Sequence, residues 1–384
     1  MRSVLRILGV VAVVAVSLEL ILRLLVAAGE IPHQVYPETR RALFWDYIDP
    51  VTGIWKPPHT TFRHQGGCID VEYRSNAFGM RDRERALEST APRRVVMLGD
   101  SVVEGFGVAR EHRFGDLIEA REGVEYLNFG SSGHFGTIQS WLLYEKLAAR
   151  FDHDEVIFFV LPSNDFHDND PARWRKAKYR PFLRRAVADA AENPVAASAE
   201  AFEVYYRIPF EQRDRAIRST SKILSNRISN ASYLANALRW AAREVKMRRE
   251  AELTPHGRSY TAPSAQDLAI LQHSLRETIA AAGERRFRLV LVPDGGDVEA
   301  ELAGDGEVPL ARSMREFAAT EGIEFLDLAP EFAREIRATG RSYSEFTLGC
   351  DPHWGPLGHA FVARVLAGAG ATAHSRGDSQ GEKG

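Results

Sequence analysis

Five short apolar runs, at residues 95–98, 124–129, 156–161, 287–292 and 323–328, constrain the fold of this chain more than any other feature. Each is rich in Val, Ile, Leu and Phe and fits a strand buried on both faces. Helical periodicity fills the intervals at 114–121, 137–150, 265–283 and 310–321, and a last helical pattern at 357–367 follows the fifth run. Strands alternating with helices imply right-handed crossovers and a parallel sheet covered on both faces. The expected fold is therefore α/β, a three-layer α/β/α sandwich around a flavodoxin-like five-stranded parallel sheet of order 2-1-3-4-5. Such sheets bind ligands beyond the carboxyl ends of their strands.

Runs three and four are too far apart for a simple crossover, so residues of about 166–261 read as a large helical insertion. Its run Trp174-Arg175-Lys176-Ala177-Lys178-Tyr179-Arg180, followed by Arg184-Arg185, reads as a solvated charged face. An anionic glycan or lipid headgroups are the functional alternative. The domain reading is 1–29 membrane anchor, 30–92 linker and irregular cap, 93–370 main domain and 371–384 disordered tail.

The 22-residue stretch from Ile7 to Ala28 would span about 33 Å as a helix, enough for a bilayer core. Glu19 and Arg23 interrupt it at i, i+4 spacing and can pair on one helix face. A signal peptide cut after Val26-Ala27-Ala28 is the rival, but its apolar core would end at Leu18, leaving an overlong charged stretch. An uncleaved anchor fits better, with Arg2 and Arg6 on the cytoplasmic side and the remaining chain extracytoplasmic. Lys plus Arg total 49 against 52 Asp plus Glu, which argues against a nucleic-acid partner. The two cysteines, Cys68 and Cys350, form either one disulfide or two buried thiols. Because Cys350 adjoins Asp351, a disulfide between them would brace that loop.

The residues just after each strand carry the chemistry. Gly99-Asp100-Ser101 follows the first, Gly130-Ser131-Ser132-Gly133 the second, and Ser163-Asn164-Asp165 the third. Asp351-Pro352-His353-Trp354 and Gly358-His359 stand near the C-terminus. Singly, each is an ordinary turn or cap. Together they supply a hydroxyl nucleophile, oxyanion donors, a base and an orienting acid, the inventory of acyl transfer through a covalent ester.

These blocks resemble those of the SGNH (GDSL) hydrolases, over about residues 72–370. The upstream Tyr73-Arg74-Ser75-Asn76-Ala77-Phe78-Gly79-Met80-Arg81-Asp82 resembles a lead-in of membrane-anchored members. The resemblance implies Ser101 as nucleophile and His353 as base, with Asp351 as acid. It implies an oxyanion hole of Ser101 N–H, Gly133 N–H and the Asn164 side chain, with no cofactor and no metal. Asp351-x-His353 is one residue shorter than the family's usual Asp-x-x-His and is loosely like the pair of alginate-acetylating members. The implied activity is a serine esterase acting on O-acyl, foremost O-acetyl, esters of an extracytoplasmic glycan or lipid. O-acyl transfer to a polysaccharide hydroxyl and a non-catalytic glycan-binding module are the alternatives. His359 is a fallback base or the start of the closing helix, and Asp351, His353 and His359 could also hold a metal, which chelators would reveal. The segment 99–107 lacks G-x-x-x-x-G-K-[ST], and no G-x-G-x-x-G follows the first strand, which argues against a nucleotide site.

Overall fold

A computed structural model of the chain describes residues 2–31, 33, 36, 44–45, 47–66, 68–174, 179–185, 202–211, 220–253, 263–304 and 308–377. In chain order, helix α1 (Arg2–Ala27) precedes strands β1 (Thr61–Gly66), β2 (Ile69–Arg74) and β3 (Arg94–Gly99). Helices α2 (Ser101–Glu104) and α3 (Phe114–Glu122) lead to β4 (Glu125–Gly130). Next come α4 (Thr137–Lys146), β5 (Glu155–Val160) and α5 (Pro162–Asn169). The insertion carries β6 (Pro181–Arg185), β7 (Phe202–Tyr206), α6 (Thr220–Ala231) and α7 (Tyr233–Leu253). Then follow α8 (Ala265–Ala282), β8 (Arg286–Leu291), α9 (Gly295–Ala303), α10 (Pro309–Glu321) and β9 (Glu324–Asp327). The last elements are α11 (Leu328–Thr339), β10 (Thr347–Leu348), β11 (Asp351–Trp354) and α12 (Pro356–Gly377).

The chain divides into two compact units, each with its own architecture. One comprises Met1–Ala42, Arg63–Val71 and Ala216–His256, and contains α1, α6 and α7. Helix α1 buries no side chain, and among the described residues it alone is long and apolar enough to cross a membrane. The other unit, Leu43–Phe62, Glu72–Arg215 and Gly257–Gly384, holds the sheet. Its five strands run parallel in the order β4-β3-β5-β8-β9, which in sequence terms is 2-1-3-4-5.

Strand alternation explains the three layers. Val96, Leu98, Leu127, Phe158 and Leu289 pack one face against Leu143 of α4, Leu275 of α8 and Met314 of α10. Their neighbours Val95, Met97, Tyr126, Ile157 and Val290 pack the other against Ile118 of α3, Phe332 of α11 and Val362 of α12. The runs are continuously apolar because both faces are covered.

Helices α5, α9 and α11 stand where the periodicity predicts none. Helix α11 is the instructive one. Its buried residues Leu328, Ala329, Phe332, Ala333 and Ile336 form a clean stripe, but it starts directly from β9 without a loop. The Asp327 carboxylate caps it by accepting from Ala329 N at 3.0 Å, so an apparent strand residue, Leu328, is helical. The insertion also holds an antiparallel β6–β7 ribbon besides its helices. Of its basic run, Arg175 to Lys178 lie outside the described residues. Arg180 departs from the solvated-face reading: it is 4% exposed, its guanidinium 4.3 Å from the Trp174 ring centroid. The end of the polar tail, 378–384, lies outside the described residues.

Two glycines bring the first helix across the strand ends. Gly99 and Gly130 are register partners at the last positions of β3 and β4. A Cβ on Gly99 would come 2.6 Å from Val103 Cγ2, and one on Gly130 would come 2.3 Å from Glu104 N. The second clash is with backbone and has nowhere to relax. Gly130→Ala is therefore expected to lower stability by about 2–4 kcal/mol, the range for overpacking plus backbone displacement. A denaturant midpoint within error of wild type would show that α2 does not lie this close.

Candidate active site

Ser101 opens α2 directly after β3, and Asp100 is its N-cap, with Oδ1 accepting from Val102 N at 3.0 Å. Asp100 Oδ2 accepts from Asn164 Nδ2 at 2.8 Å. Asn164 lies in the first turn of α5, after β5, so the ends of adjacent strands β3 and β5 deliver both residues. This is where the strand order reverses, the expected ligand position in an open α/β sheet.

The candidate base comes from the far end of the chain. His353 Nε2 lies 2.7 Å from Ser101 Oγ, and its Nδ1 lies 2.5 Å from Asp351 Oδ1. Asp351 and His353 occupy β11, which pairs antiparallel with β10. Residues i and i+2 of a strand point to the same face, which is why a spacing of two suits this pair. The same Asp351 oxygen accepts from His353 N at 3.0 Å, and the Phe106 ring packs 4.4 Å from the imidazole. Carboxylate, backbone and ring together fix the orientation of the imidazole.

Gly133 sits in the turn after β4 with φ +91°, and His134 follows at φ +68°. Left-handed backbone at a non-glycine residue costs on the order of 1 kcal/mol and persists only where the surroundings impose it. Here they do. Arg180 donates to His134 O at 3.0 Å, and His134 Nδ1 lies 3.4 Å from the buried Asp168 carboxylate. His167 Nδ1 is also 3.4 Å from that carboxylate. Burial pushes Asp168 up, but hydrogen bonds from His134 and His167 and the Arg180 charge hold it below the usual value.

A second buried carboxylate, Glu104, ties this turn to α2, the helix that Ser101 opens. It accepts from Trp45 Nε1 at 2.9 Å, from Ser132 N at 2.8 Å and from the Ser132 hydroxyl. Lys56 Nζ stands 3.5 Å from the same carboxylate and donates to Gly130 O at 2.8 Å. Burial raises the Glu104 carboxyl, but Lys56, Arg81 and Ser132 more than compensate and hold it down. Lys56, buried in turn, is lowered to about 8 despite Glu104. Glu104 escapes the sequence reading because Ser101-x-x-Glu104 looks like a capping box. The lead-in block has a similar clamping role. Arg81 donates to the carbonyls of Glu104, Gly105 and Val108 at 3.0, 2.5 and 2.6 Å, and Tyr73 Oη accepts from Gly107 N at 2.8 Å.

The structure thus brings Ser101, His353 and Asp351 into one hydrogen-bonded line and sets Asn164 beside it through Asp100. Gly133 belongs to the neighbouring turn, where Ser131 N donates to Gly99 O at 3.3 Å. His359 is elsewhere in its environment. It lies in the first turn of α12, fully buried, stacked on Phe114 with Nδ1 accepting from Phe114 N at 3.4 Å. Burial, then the charges of Arg113 and Arg81, lower it to about 3, so it is neutral and structural rather than a base. Among the described residues no group of three or more His, Cys, Asp or Glu side chains is placed to hold a metal.

No family model matches the sequence, and no curated protein matches it. Among solved structures, a member of the lipolytic G-D-S-L family from Veillonella parvula DSM 2008 is similar at 12% identity, covering 71% of this chain and 94% of that one, with TM-score 0.35. An acetyl xylan esterase is similar at 14% identity over 72% of this chain and 98% of its own, with TM-score 0.38. The lipase/acylhydrolase from Enterococcus faecalis is similar at 14% identity, covering 72% and 96%, with TM-score 0.34.

Glu104→Gln removes the charge that pairs with buried Lys56 while nearly keeping the shape. It is expected to cost about 3 kcal/mol, as for breaking a buried ion pair. An unchanged denaturant midpoint would remove Glu104 from its role. The unfolded His359 takes up a proton near the ordinary 6.5, whereas the folded one waits until about 3. The unfolded state therefore binds more protons in that window, and stability falls as pH falls from about 6.5 towards 3. His359→Gln, which cannot titrate, should show a shallower fall in urea titrations across that range; parallel curves would contradict this.

Proposed function

We propose that this chain is an SGNH-type serine esterase that cleaves O-acyl esters, acetyl first among them, through an acyl-enzyme. The observation that carries this reading is the Ser101–His353–Asp351 line, at 2.7 and 2.5 Å. Ser101 Oγ donates its proton to His353 Nε2 as it attacks the ester carbonyl, and Asp351 holds the Nδ1 proton and stabilises the imidazolium. The oxyanion meets Ser101 N–H, Gly133 N–H and the second N–H of Asn164, whose first is held by Asp100. Each such donor contributes about 3 kcal/mol to transition-state stabilisation. His353 then returns the proton to the leaving alkoxide. Water, activated by the same imidazole, releases the acid and frees Ser101.

Ester-bearing glycans or lipids outside the cytoplasm are the proposed substrates. Support comes from the apolar α1 with Arg2 and Arg6 in its first turns, which reads as a membrane anchor with its N-terminus inside. Cys68 and Cys350 add to it: both are disulfide-bonded, a state that persists in oxidising compartments.

The test is hydrolysis of p-nitrophenyl acetate and acetate release from an acetylated polysaccharide by the full chain in detergent. Ser101→Ala is expected to lower kcat by at least about 10³-fold, in keeping with loss of a triad member, and to abolish labelling by a fluorophosphonate. Turnover that survives in the variant would remove Ser101 as nucleophile. Acetyl appearing on an added oligosaccharide instead of as free acetate would assign transfer rather than hydrolysis.

A further inference from the structure

In the unit that contains α1, the α6–α7 hairpin buries polar side chains and exposes apolar ones, alongside Ser221, Lys222 and Ser225. Helix α6 buries only Asn226 and Ser229, while Leu224 and Ile228 are 58% and 53% exposed. Across from it on α7, Asn236 is buried and Leu238 is 63% exposed. The polar residues face one another: Arg239 donates to Asn226 Oδ1 at 2.9 Å and lies 3.6 Å from the Tyr36 ring centroid, and Asn236 Nδ2 donates to Ser229 O at 2.9 Å. A helical hairpin in water buries its leucines and wets its asparagines. One that does the reverse is arranged for a hydrocarbon solvent, where interhelical contacts are polar and lipid-facing residues apolar.

The hairpin corner is fastened to α1 at that helix's two charged residues. Glu19 accepts from Tyr233 N at 3.0 Å, Leu234 N at 2.8 Å and Ser232 Oγ at 3.0 Å, capping the first turn of α7. Arg23 donates to Ala231 O at 3.3 Å, pairs with Glu19 at 2.9 Å and lies 4.5 Å from the Tyr233 ring centroid. The groups most costly to a membrane span are thus satisfied by the corner. Glu19 precedes Ala28, the end of the apolar run, by nine residues, or about 13 Å along a helix. That depth lies within one leaflet of a hydrocarbon core about 30 Å thick.

We infer that the α6–α7 hairpin enters the outer leaflet of the bilayer beside α1, with Leu224, Ile228 and Leu238 in contact with lipid tails. Counting from the corner, Trp240 stands about 10 Å up α7, near the interface where Trp is enriched. Arg227 on α6 is long enough to snorkel to the same level. The inference rests on the reading of α1 as an anchor.

The test uses the full chain in phosphatidylethanolamine/phosphatidylglycerol vesicles with single nitroxides at L224C, I228C and L238C. V14C on α1 reports the anchor, and R334C on α11, an exposed residue, reports the aqueous phase. Collision with oxygen should exceed collision with a water-soluble nickel chelate several-fold at the three hairpin sites, as at Val14 and opposite to Arg334. Nickel access at the hairpin with oxygen preference at Val14 overturns the hairpin and leaves the anchor. Nickel access at Val14 as well overturns both. Shielding from both reagents means that protein covers the face, and also overturns the inference. Wild-type tryptophan quenching by brominated lipid supplies a label-free check: it should drop in Trp240→Phe, and an undiminished signal counts against the placement.

Discussion

Glu104 is a fully buried carboxylate one turn after the candidate nucleophile, and much of the site's geometry hangs on how it is satisfied. A charge removed from water costs several kcal/mol unless its partners are fixed and complete. The partners come from three places in the chain: Lys56 and Trp45 from the segment before the sheet, Ser132 from the turn after β4, and the nearby Arg81 from the lead-in. Meeting this one requirement therefore orders the Gly130–Gly133 turn against α2. The glycines at the ends of β3 and β4 make the approach possible, since a side chain at either would displace the helix. Burial, ion pairing and glycine placement are three views of a single constraint.

The site is assembled from rigid ends rather than from long loops. Ser101 and Asn164 ride on the ends of β3 and β5, neighbours in the sheet, so their separation is set by strand pairing. Asp351 and His353 ride on a short strand of their own, β11, braced by β10. That device explains the compressed acid–base spacing. An extended backbone already points positions i and i+2 the same way, so an intervening Pro352 turned to the other face is sufficient. The Phe106 ring then prevents the imidazole from rotating away from the serine.

Much of this was legible in the sequence because it follows from local periodicity. Continuous apolar runs with helical intervals specify a two-sided parallel sheet, and residues after strand ends are where such sheets carry chemistry. Ser101 and Asn164 could be found that way, whereas Asp351 and His353 stand more than twenty residues past the fifth run, and their roles are implied only by the family resemblance. What stayed hidden depends on tertiary partners. Glu104 reads as a capping residue until Lys56, some fifty positions away, is seen beside it. Arg180 reads as one more surface cation until Trp174 and the Gln139 side chain close around it. His359 reads as a possible base, and only its burial against Phe114 shows otherwise. Helix α11 was hidden for a different reason: a strand passing straight into a helix leaves no turn residues to mark the change.

The buried aspartates beside the site bear on where negative charge can accumulate. Burial raises Asp100, although Val102 N–H and the Asn164 amide favour its charged form. Asp165, whose Oδ2 accepts from Leu161 N at 2.8 Å, is held well above the usual range by burial and then by Asp100. Asp168 is drawn the other way by its histidines and Arg180. Asp168 is thus the one of the three whose hydrogen-bonding and cationic partners outweigh burial in favour of the charged form. Asp100 thus joins two elements at once: its Oδ1 caps the helix that carries Ser101 and its Oδ2 holds one N–H of Asn164, so a single side chain sets both residues relative to each other.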